Sequence, residues 1–398
     1  MDFIQPIGLY IHIPFCKTKC LYCDFNTYAK IEYLIPSYTE ALLNEIKMWG
    51  NLLRTPKIDT MFFGGGTPSY IPPNGISSII HTINTNFNTS EISEITIEAN
   101  PDDLDIRRLE QYLYSGINRL SIGVQTFKDD LLSLLGRRHK SIDAIEAYNM
   151  AKNAGFNNIS IDLMFGLPYQ TLEDWKDTII KLLDLNPNHI SMYSLTLEYG
   201  TPLEKLVKTN QINEPDEDLA ADMYLMAEEM LEKAGYRHYE ISNWAKPGFE
   251  SLHNLTYWKN NQYLGIGPGA HSYLYQCRFS NIKSPRNYIN IFQEVDIKTS
   301  TKYSRNFVDT LKKLSTIENI WPIDEIREIS ETLIMGLRLE DGIDLPAFYE
   351  KFGVGINDRY GEIITELSSI GLLKLFNETL SLTPRGRLLG NEVFQKFL

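Results

Sequence analysis

The chain has 398 residues, enough for two or three domains around a large core. It carries 51 acidic against 38 basic residues, a formal charge of −13. That balance argues against a nucleic-acid partner, which calls for a basic face. No apolar run is long enough to span a bilayer and the amino terminus carries no secretion signal, so the cytoplasm is the expected compartment.

Ile7–Pro14 alternates Leu9, Ile11 and Ile13 with Tyr10 and His12, which predicts a strand stopped by Pro14. Three of the four cysteines follow at once: Cys16, Cys20 and Cys23, in PFCKTKCLYCDF. Three thiolates can ligate three irons of a cubane cluster and leave the fourth iron open. A zinc ion completed by His12 fits the spacing too. Disulfides do not suit an odd set of thiols in a reducing compartment.

The spacing then predicts a helix over Ser37–Trp49 and a strand over Ile58–Phe63 that runs into Gly64, Gly65, Gly66 and Thr67. Next come a helix over Asn74–Thr85, a strand over Ile95–Ala99 and a helix over Leu104–Ser115. Arg119–Val124 reads as a strand ending at Gln125, and Ile142–Lys152 as a helix closed by Gly155. The strand Ile159–Phe165 leads to a helix that Thr171 caps, with Asp174 three residues on. His189–Leu195 is the sixth strand, and Asp218–Ala234 a long helix.

Six strand–helix units imply a parallel sheet. Tyr10, the cysteines, the glycine triplet, Glu98, Asn100 and Gln125 fall at or near the carboxyl ends of successive strands. A site spread over so many strand ends favours a barrel over an open sheet with one switch point. The expected fold is α/β: a partial (βα)6 TIM-like barrel with a smaller, α-rich, winged-helix-like C-terminal domain. Its expected divisions are residues 1–235 for the barrel, 236–302 for an extension and 303–398 for the small domain.

Within the extension, Tyr236–Ser242 reads as a strand, and HNLTYW (253–258) and LGIGPGAHS (264–272) as loops over a site. His253 is placed in exposed surroundings among aromatic residues, open to three roles: axial haem ligand, proton carrier or hydrogen-bonded structural residue. In the small domain, helices are expected at Ile326–Leu337 and Tyr360–Ser369. A short wing at Leu380–Leu382 and a closing helix over Leu388–Phe397 follow.

The glycine triplet lets backbone approach a ligand's amino or carboxylate group, but lacks the spacing of a phosphate-binding loop. Glu98 suits an amine or ribose hydroxyls, and Arg137 with Arg138 suits a carboxylate. Asp162 lies inside the apolar strand ISIDLMF, where a charge is costly unless used.

The segments YIHIPFCKTKCLYCDF, FFGGGTPS, EANP, SIGVQTF, LLGRRH, DLMFGLP and LGIGPGAHSY occur in that order. Together they resemble the radical S-adenosylmethionine superfamily, in its oxygen-independent coproporphyrinogen III oxidase-like branch. The resemblance implies a 4Fe-4S cluster on Cys16, Cys20 and Cys23, with S-adenosylmethionine on the open iron. It places Tyr10 by the adenine and the cluster, and Gly65 and Gly66 by the methionine moiety, with Thr67 also in the cofactor site. Glu98, Gln125, Arg137 and Asp162 match the remaining contacts, the ribose among them. Two departures from the oxidase stand out. Phe25 occupies the position of a further cysteine, and only nine residues precede Tyr10. HNLTYW instead matches the H-N-x-x-Y-W signature of the haem chaperone subfamily. That likeness implies haem binding with contact at His253, and delivery to a haem-accepting protein that can lie at a membrane. Decarboxylation of propionates to vinyls is then not expected. An electron donor such as flavodoxin or ferredoxin is implied for the cluster. Monomer and dimer stay open.

Overall fold

The computed structural model describes residues 6–294 and 306–398. Six parallel strands carry the architecture: β1 (Ile7–Ile13), β2 (Ile58–Gly65), β3 (Glu94–Ala99), β4 (Arg119–Gln125), β5 (Ile159–Phe165) and β6 (His189–Ser194). They lie side by side in chain order. Helices α1 (Ile35–Leu53), α2 (Pro73–Asn86), α3 (Ile106–Tyr114), α4 (Ser141–Ala154) and α5 (Leu172–Leu185) make the crossovers, and α6 (Glu217–Lys233) follows β6. The expected six-unit partial barrel is therefore formed.

Local sequence explains the elements. Helix α1 buries Tyr38, Leu42, Ile46 and Trp49, spaced three or four apart on one face. Thr171 caps α5 as expected, its hydroxyl accepting from the Asp174 N–H at 3.1 Å. Gly155 closes α4 at φ +110°, a left-handed conformation that suits glycine.

Tyr236–Ser242 holds the expected strand, and the segment 264–272, expected as a loop, is mostly sheet as well. β7 (Arg237–Glu240) and β8 (Asn243–Ala245) extend one side of the barrel, β8 pairing antiparallel with β6. On the other side, β9 (Tyr263–Ile266) pairs parallel with β1. β10 (His271–Leu274), β11 (Cys277–Asn281) and β12 (Ile317–Pro322) continue from it, antiparallel. Among the described residues the sheet order is β12-β11-β10-β9-β1-β2-β3-β4-β5-β6-β8-β7. Glycine makes the β9–β10 corner feasible. A Cβ on Gly265 would lie 2.1 Å from the His271 carbonyl oxygen, and one on Gly267, at φ +102°, 2.7 Å from the His12 carbonyl oxygen. HNLTYW is not a loop either. It forms most of helix α7 (Leu252–Trp258).

The residue-303 division lies outside the described residues. β12 belongs to the large sheet. A second hydrophobic core runs from Ile329 on α8 (Glu325–Gly336) to Phe397. It includes the wing as a hairpin of Leu373–Phe376 with Thr379–Leu382, and the closing segment as two short helices, Pro384–Leu388 and Gly390–Gln395.

Candidate functional site: the carboxyl-end rim of the barrel

The cysteine loop leaves β1 and is pinched at its base, where Phe15–Cys16 pairs with Tyr28–Ala29. Several elements fix it. Leu21 N–H donates to the Leu135 carbonyl at 3.1 Å, and Leu21 carbonyl accepts from Leu203 N–H at 2.9 Å. Asn26 Nδ2 donates to the Pro268 and Lys283 carbonyls, at 2.9 and 3.1 Å, on the β9–β10 side.

Each sulfur has a polar neighbour. Cys16 Sγ accepts from Thr67 Oγ1 at 3.4 Å and Cys20 Sγ from Arg137 Nη1 at 3.5 Å, while Cys23 Sγ lies 3.8 Å from Thr27 Oγ1. Burial pushes the Cys16 and Cys23 thiols up. Among the described residues no three His, Cys, Asp or Glu side chains converge as a set for one metal ion. His12 turns elsewhere: its Nδ1 bonds the Tyr10 hydroxyl and its Nε2 the Asn26 carbonyl, each at 3.0 Å. The zinc set is therefore not assembled. Three thiols on one loop, with hydroxyl and guanidinium donors facing them, fit a cluster in which each thiolate binds a different iron.

The glycine triplet passes between this loop and β3. A Cβ on Gly66 would lie 2.7 Å from the Phe15 carbonyl oxygen and 3.1 Å from Cys16 Sγ. Gly65 adopts φ +108°, and a Cβ there would sit 2.5 Å from the His12 ring. Its N–H donates to Glu98 Oε2 at 3.3 Å. Burial, and then the charge of Asp162, push the Glu98 carboxyl up to about 8.

Asp162 faces the same interior from β5. Ser121 Oγ donates to both its oxygens, at 2.8 and 3.0 Å, and Ser160 Oγ to one, at 3.0 Å. Burial raises this carboxyl while the serine hydroxyls counter the rise. Gln125 ends β4 just past a register shift, at φ +70°, a strained conformation for a side-chain-bearing residue. Arg137 Nη2 donates to Asn100 Oδ1 at 2.6 Å and to the Gly123 carbonyl at 2.5 Å; its Nε is sealed and unpartnered. Arg138 departs from the expected arginine pair, binding Asp102 at 2.6 Å and Asp103 at 3.0 Å instead.

Tyr10, Cys16, Cys20, Cys23, Gly65, Gly66, Thr67, Glu98, Gln125, Arg137 and Asp162 thus occupy one wall, the rim and upper interior of β1 to β5. His253 does not join them. It is buried, not exposed. Thr60 Oγ1 bonds its Nδ1 at 2.9 Å and the Tyr257 hydroxyl its Nε2 at 2.8 Å. The Phe62 ring stacks on it with centroids 5.2 Å apart. Thr60 precedes Gly64 by four residues on β2, so this level lies about 13 Å below the rim. Burial, then the charge of Arg119, lower the imidazole to about 3, so it is neutral. An iron at Nε2 would have to displace the Tyr257 hydroxyl.

The floor around His253 was not anticipated. Glu94 accepts from the Leu252 and His253 N–H groups at 3.0 and 3.1 Å, closing the start of α7. Arg119 Nε stands 4.0 Å from Glu94 Oε2, both side chains buried. His189 bonds Ser160 Oγ and the Tyr239 hydroxyl, each at 2.8 Å. The signal was present: Glu94, Thr96 and Glu98 alternate along β3, as Arg119 and Ser121 do along β4, so each set faces inward.

Six parallel strands with a three-cysteine loop and a glycine triplet at their carboxyl ends define a radical S-adenosylmethionine barrel. The Radical SAM superfamily model matches residues 10–182, and the HemN C-terminal domain model residues 323–389. The heme chaperone HemW of Bacillus subtilis is 39% identical over 392 residues, 98% of this chain and 98% of that protein. The heme chaperone HemW of Lactococcus lactis is 37% identical, covering 99% of this chain and 98% of its own. In fold the chain resembles the coproporphyrinogen III oxidase (HemN) of Escherichia coli, with a TM-score of 0.82 at 24% identity, over 99% of this chain and 90% of that one. The chain belongs to the heme chaperone HemW family. Membership in the radical SAM superfamily implies a 4Fe-4S cluster and S-adenosylmethionine. Among the described residues no helix is long and apolar enough to cross a membrane.

Proposed function

We propose that this protein binds haem and passes it to acceptor haem proteins. Its barrel would hold a 4Fe-4S cluster on Cys16, Cys20 and Cys23, and S-adenosylmethionine against Tyr10, Gly65, Gly66, Thr67, Glu98, Gln125, Arg137 and Asp162. The observation that carries the reading is near-full-length likeness to heme chaperones. Two features support it: the HNLTYW segment, and Phe25 beyond the third cysteine, 65% exposed beside the loop.

When bound, the cluster supplies a low-potential electron next to the sulfonium. The chain's own groups prepare that place. Arg137 sets a fixed positive charge against Cys20. Glu98, largely protonated near neutral pH, can donate as well as accept a hydrogen bond. Ser121 and Ser160 hold Asp162 in one orientation for ligand hydroxyls. An electron donor such as flavodoxin or ferredoxin, and a haem acceptor, at a membrane or not, are the partners this reading calls for.

The test is anaerobic. Reconstituted protein is titrated with haem and then mixed with an apo-haem protein. A Soret band that saturates and then moves to the acceptor is expected. Incubation with coproporphyrinogen III, S-adenosylmethionine and a reductant should give no protoporphyrinogen. Its formation would overturn the chaperone reading in favour of the oxidase.

A further inference from the structure

The C-terminal domain meets the barrel along β7. Ile241 N–H donates to the Arg338 carbonyl and Glu340 N–H to the Tyr239 carbonyl, both at 3.1 Å, so residues 338–340 run along that edge. This brings the guanidinium of Arg338 over the Trp258 ring, 4.3 Å from its centroid. Trp258 is the last residue of the HNLTYW segment. Its segment partners His253 and Tyr257 bond each other on the barrel floor, whereas Trp258 stands at the seam between the two domains.

Four polar atoms at this seam are sealed from solvent without a hydrogen-bond partner: Glu240 Oε2, Asn243 Oδ1, Trp258 Nε1 and Arg338 Nε. Glu240 and Asn243 are 1% and 2% exposed. The Asn243 amide nitrogen donates to Glu240 Oε1, which leaves Glu240 Oε2 and Asn243 Oδ1 without a donor. Asn243 stands opposite Ser191 of β6 in the register, on the strand face that turns into the barrel. Tyr193, near the end of β6, feels the charges of both Asp162 and Glu240 and so stands between the rim wall and the seam. Unsatisfied buried donors and acceptors are rare in native proteins, and a group of them marks a place for water or a ligand.

We infer that this seam is a second ligand wall, where Arg338 and Trp258 receive a carboxylate of the bound tetrapyrrole. The inference rests on the haem-binding reading and deepens it. An arginine Nε–H with its neighbouring Nη–H forms a two-pronged donor edge that matches a carboxylate, and the indole N–H adds a third donor. Both haem propionates offer such a group. The two free acceptors, on Glu240 and Asn243, suit a bound water or a ligand N–H. In this arrangement Trp258 is the ligand-contacting residue of HNLTYW, and His253 and Tyr257 position the helix that carries it.

The experiment compares haem with its dimethyl ester, which lacks both carboxylates, on full-length protein. Soret titrations are run on the parent, Arg338→Gln and Trp258→Phe, with cluster absorbance as a control for the rim. Arg338→Gln should weaken haem binding about tenfold or more, and Trp258→Phe, which keeps an aromatic ring, by a smaller factor. Ester binding and cluster absorbance should not change. Arg338→Lys should restore only part of the haem affinity, because one ammonium cannot replace the fork. If the parent binds haem and both Arg338→Gln and Trp258→Phe match it, the seam proposal is wrong while the haem reading stands. Equal losses for haem and ester would also overturn it, as a packing effect. If the parent binds neither, the haem reading falls and the seam proposal with it.

Discussion

The two ends of this barrel use the same kinds of side chain in opposite ways. At the rim, Glu98 accepts one long bond, Arg137 keeps an unpartnered Nε and Gln125 is held at positive φ. On the floor, Glu94 closes a helix start, His253 has both nitrogens bonded and His189 lies between Ser160 and Tyr239; Arg119 Nε, 4.0 Å from Glu94, is the exception, with no hydrogen bond of its own. A polar group left half-satisfied is ready for a ligand; one bonded on every side is a fastener. By that standard we read the cysteine loop and the rim as the proposed ligand site, and His253, bonded at both ring nitrogens, as scaffold.

The largest expected effect is at the rim. Cys16→Ala should abolish the cluster's visible absorbance after anaerobic reconstitution, with bound iron falling to background and little change in far-ultraviolet circular dichroism. Retention of a full cluster would mean that the three sulfurs do not act as a set. Next comes the floor. Glu94→Ala strips the start of α7 and leaves Arg119 buried without its carboxylate, which should cost roughly 3–5 kcal/mol in urea unfolding. Cluster assembly below the transition should persist. A stable variant that cannot assemble a cluster would reverse the assignment of the two ends. His253→Ala should be milder, roughly 2–3 kcal/mol, from a small cavity and the hydroxyls of Thr60 and Tyr257 left unpaired. Its haem spectrum should match the parent's. A lost or shifted Soret band at unchanged stability would make His253 a ligand after all.

Most of the barrel was legible because period-two and helical patterns are local and the glycines and capping residues punctuate them: Thr171 starts one helix and Gly155 stops another where expected. The rim was legible for a different reason. Polar residues at strand ends, and Asp162 within an apolar strand, have no good structural excuse in sequence. The segments 253–258 and 264–272 were misread because their aromatic and glycine-rich composition looks like loop, whereas the strand expected over Tyr236–Ser242 is present as Arg237–Glu240. Gly265 is there because backbone packs on backbone at the β9–β10 corner, a contact six residues apart across a turn. The burial of His253 was illegible, since its partner Thr60 lies 193 positions away. Nothing in HNLTYW reveals that the helix turns inward. The Arg338–Trp258 contact, joining two domains, is of the same kind.

Glu98 gives the most graded test of the rim–floor distinction, small at pH 5 and growing with pH. Burial and Asp162 raise its carboxyl from the usual 4.5 to about 8 in the folded protein. Between those values the native state keeps a proton that the unfolded chain has released. Unfolding then releases protons, so stability falls as pH rises from about 4.5 and levels off above about 8. Glu98→Gln removes that penalty. In cluster-free protein, the urea midpoint of the variant should gain on the parent from pH 5 to pH 8 and keep a constant lead beyond. S-adenosylmethionine should reduce the lead wherever its amine or hydroxyls stabilise the ionised carboxylate, because binding then supplies it with a further partner. Parallel curves for parent and variant would show that Glu98 takes up no proton on folding, and the rim would lose the feature that sets it apart.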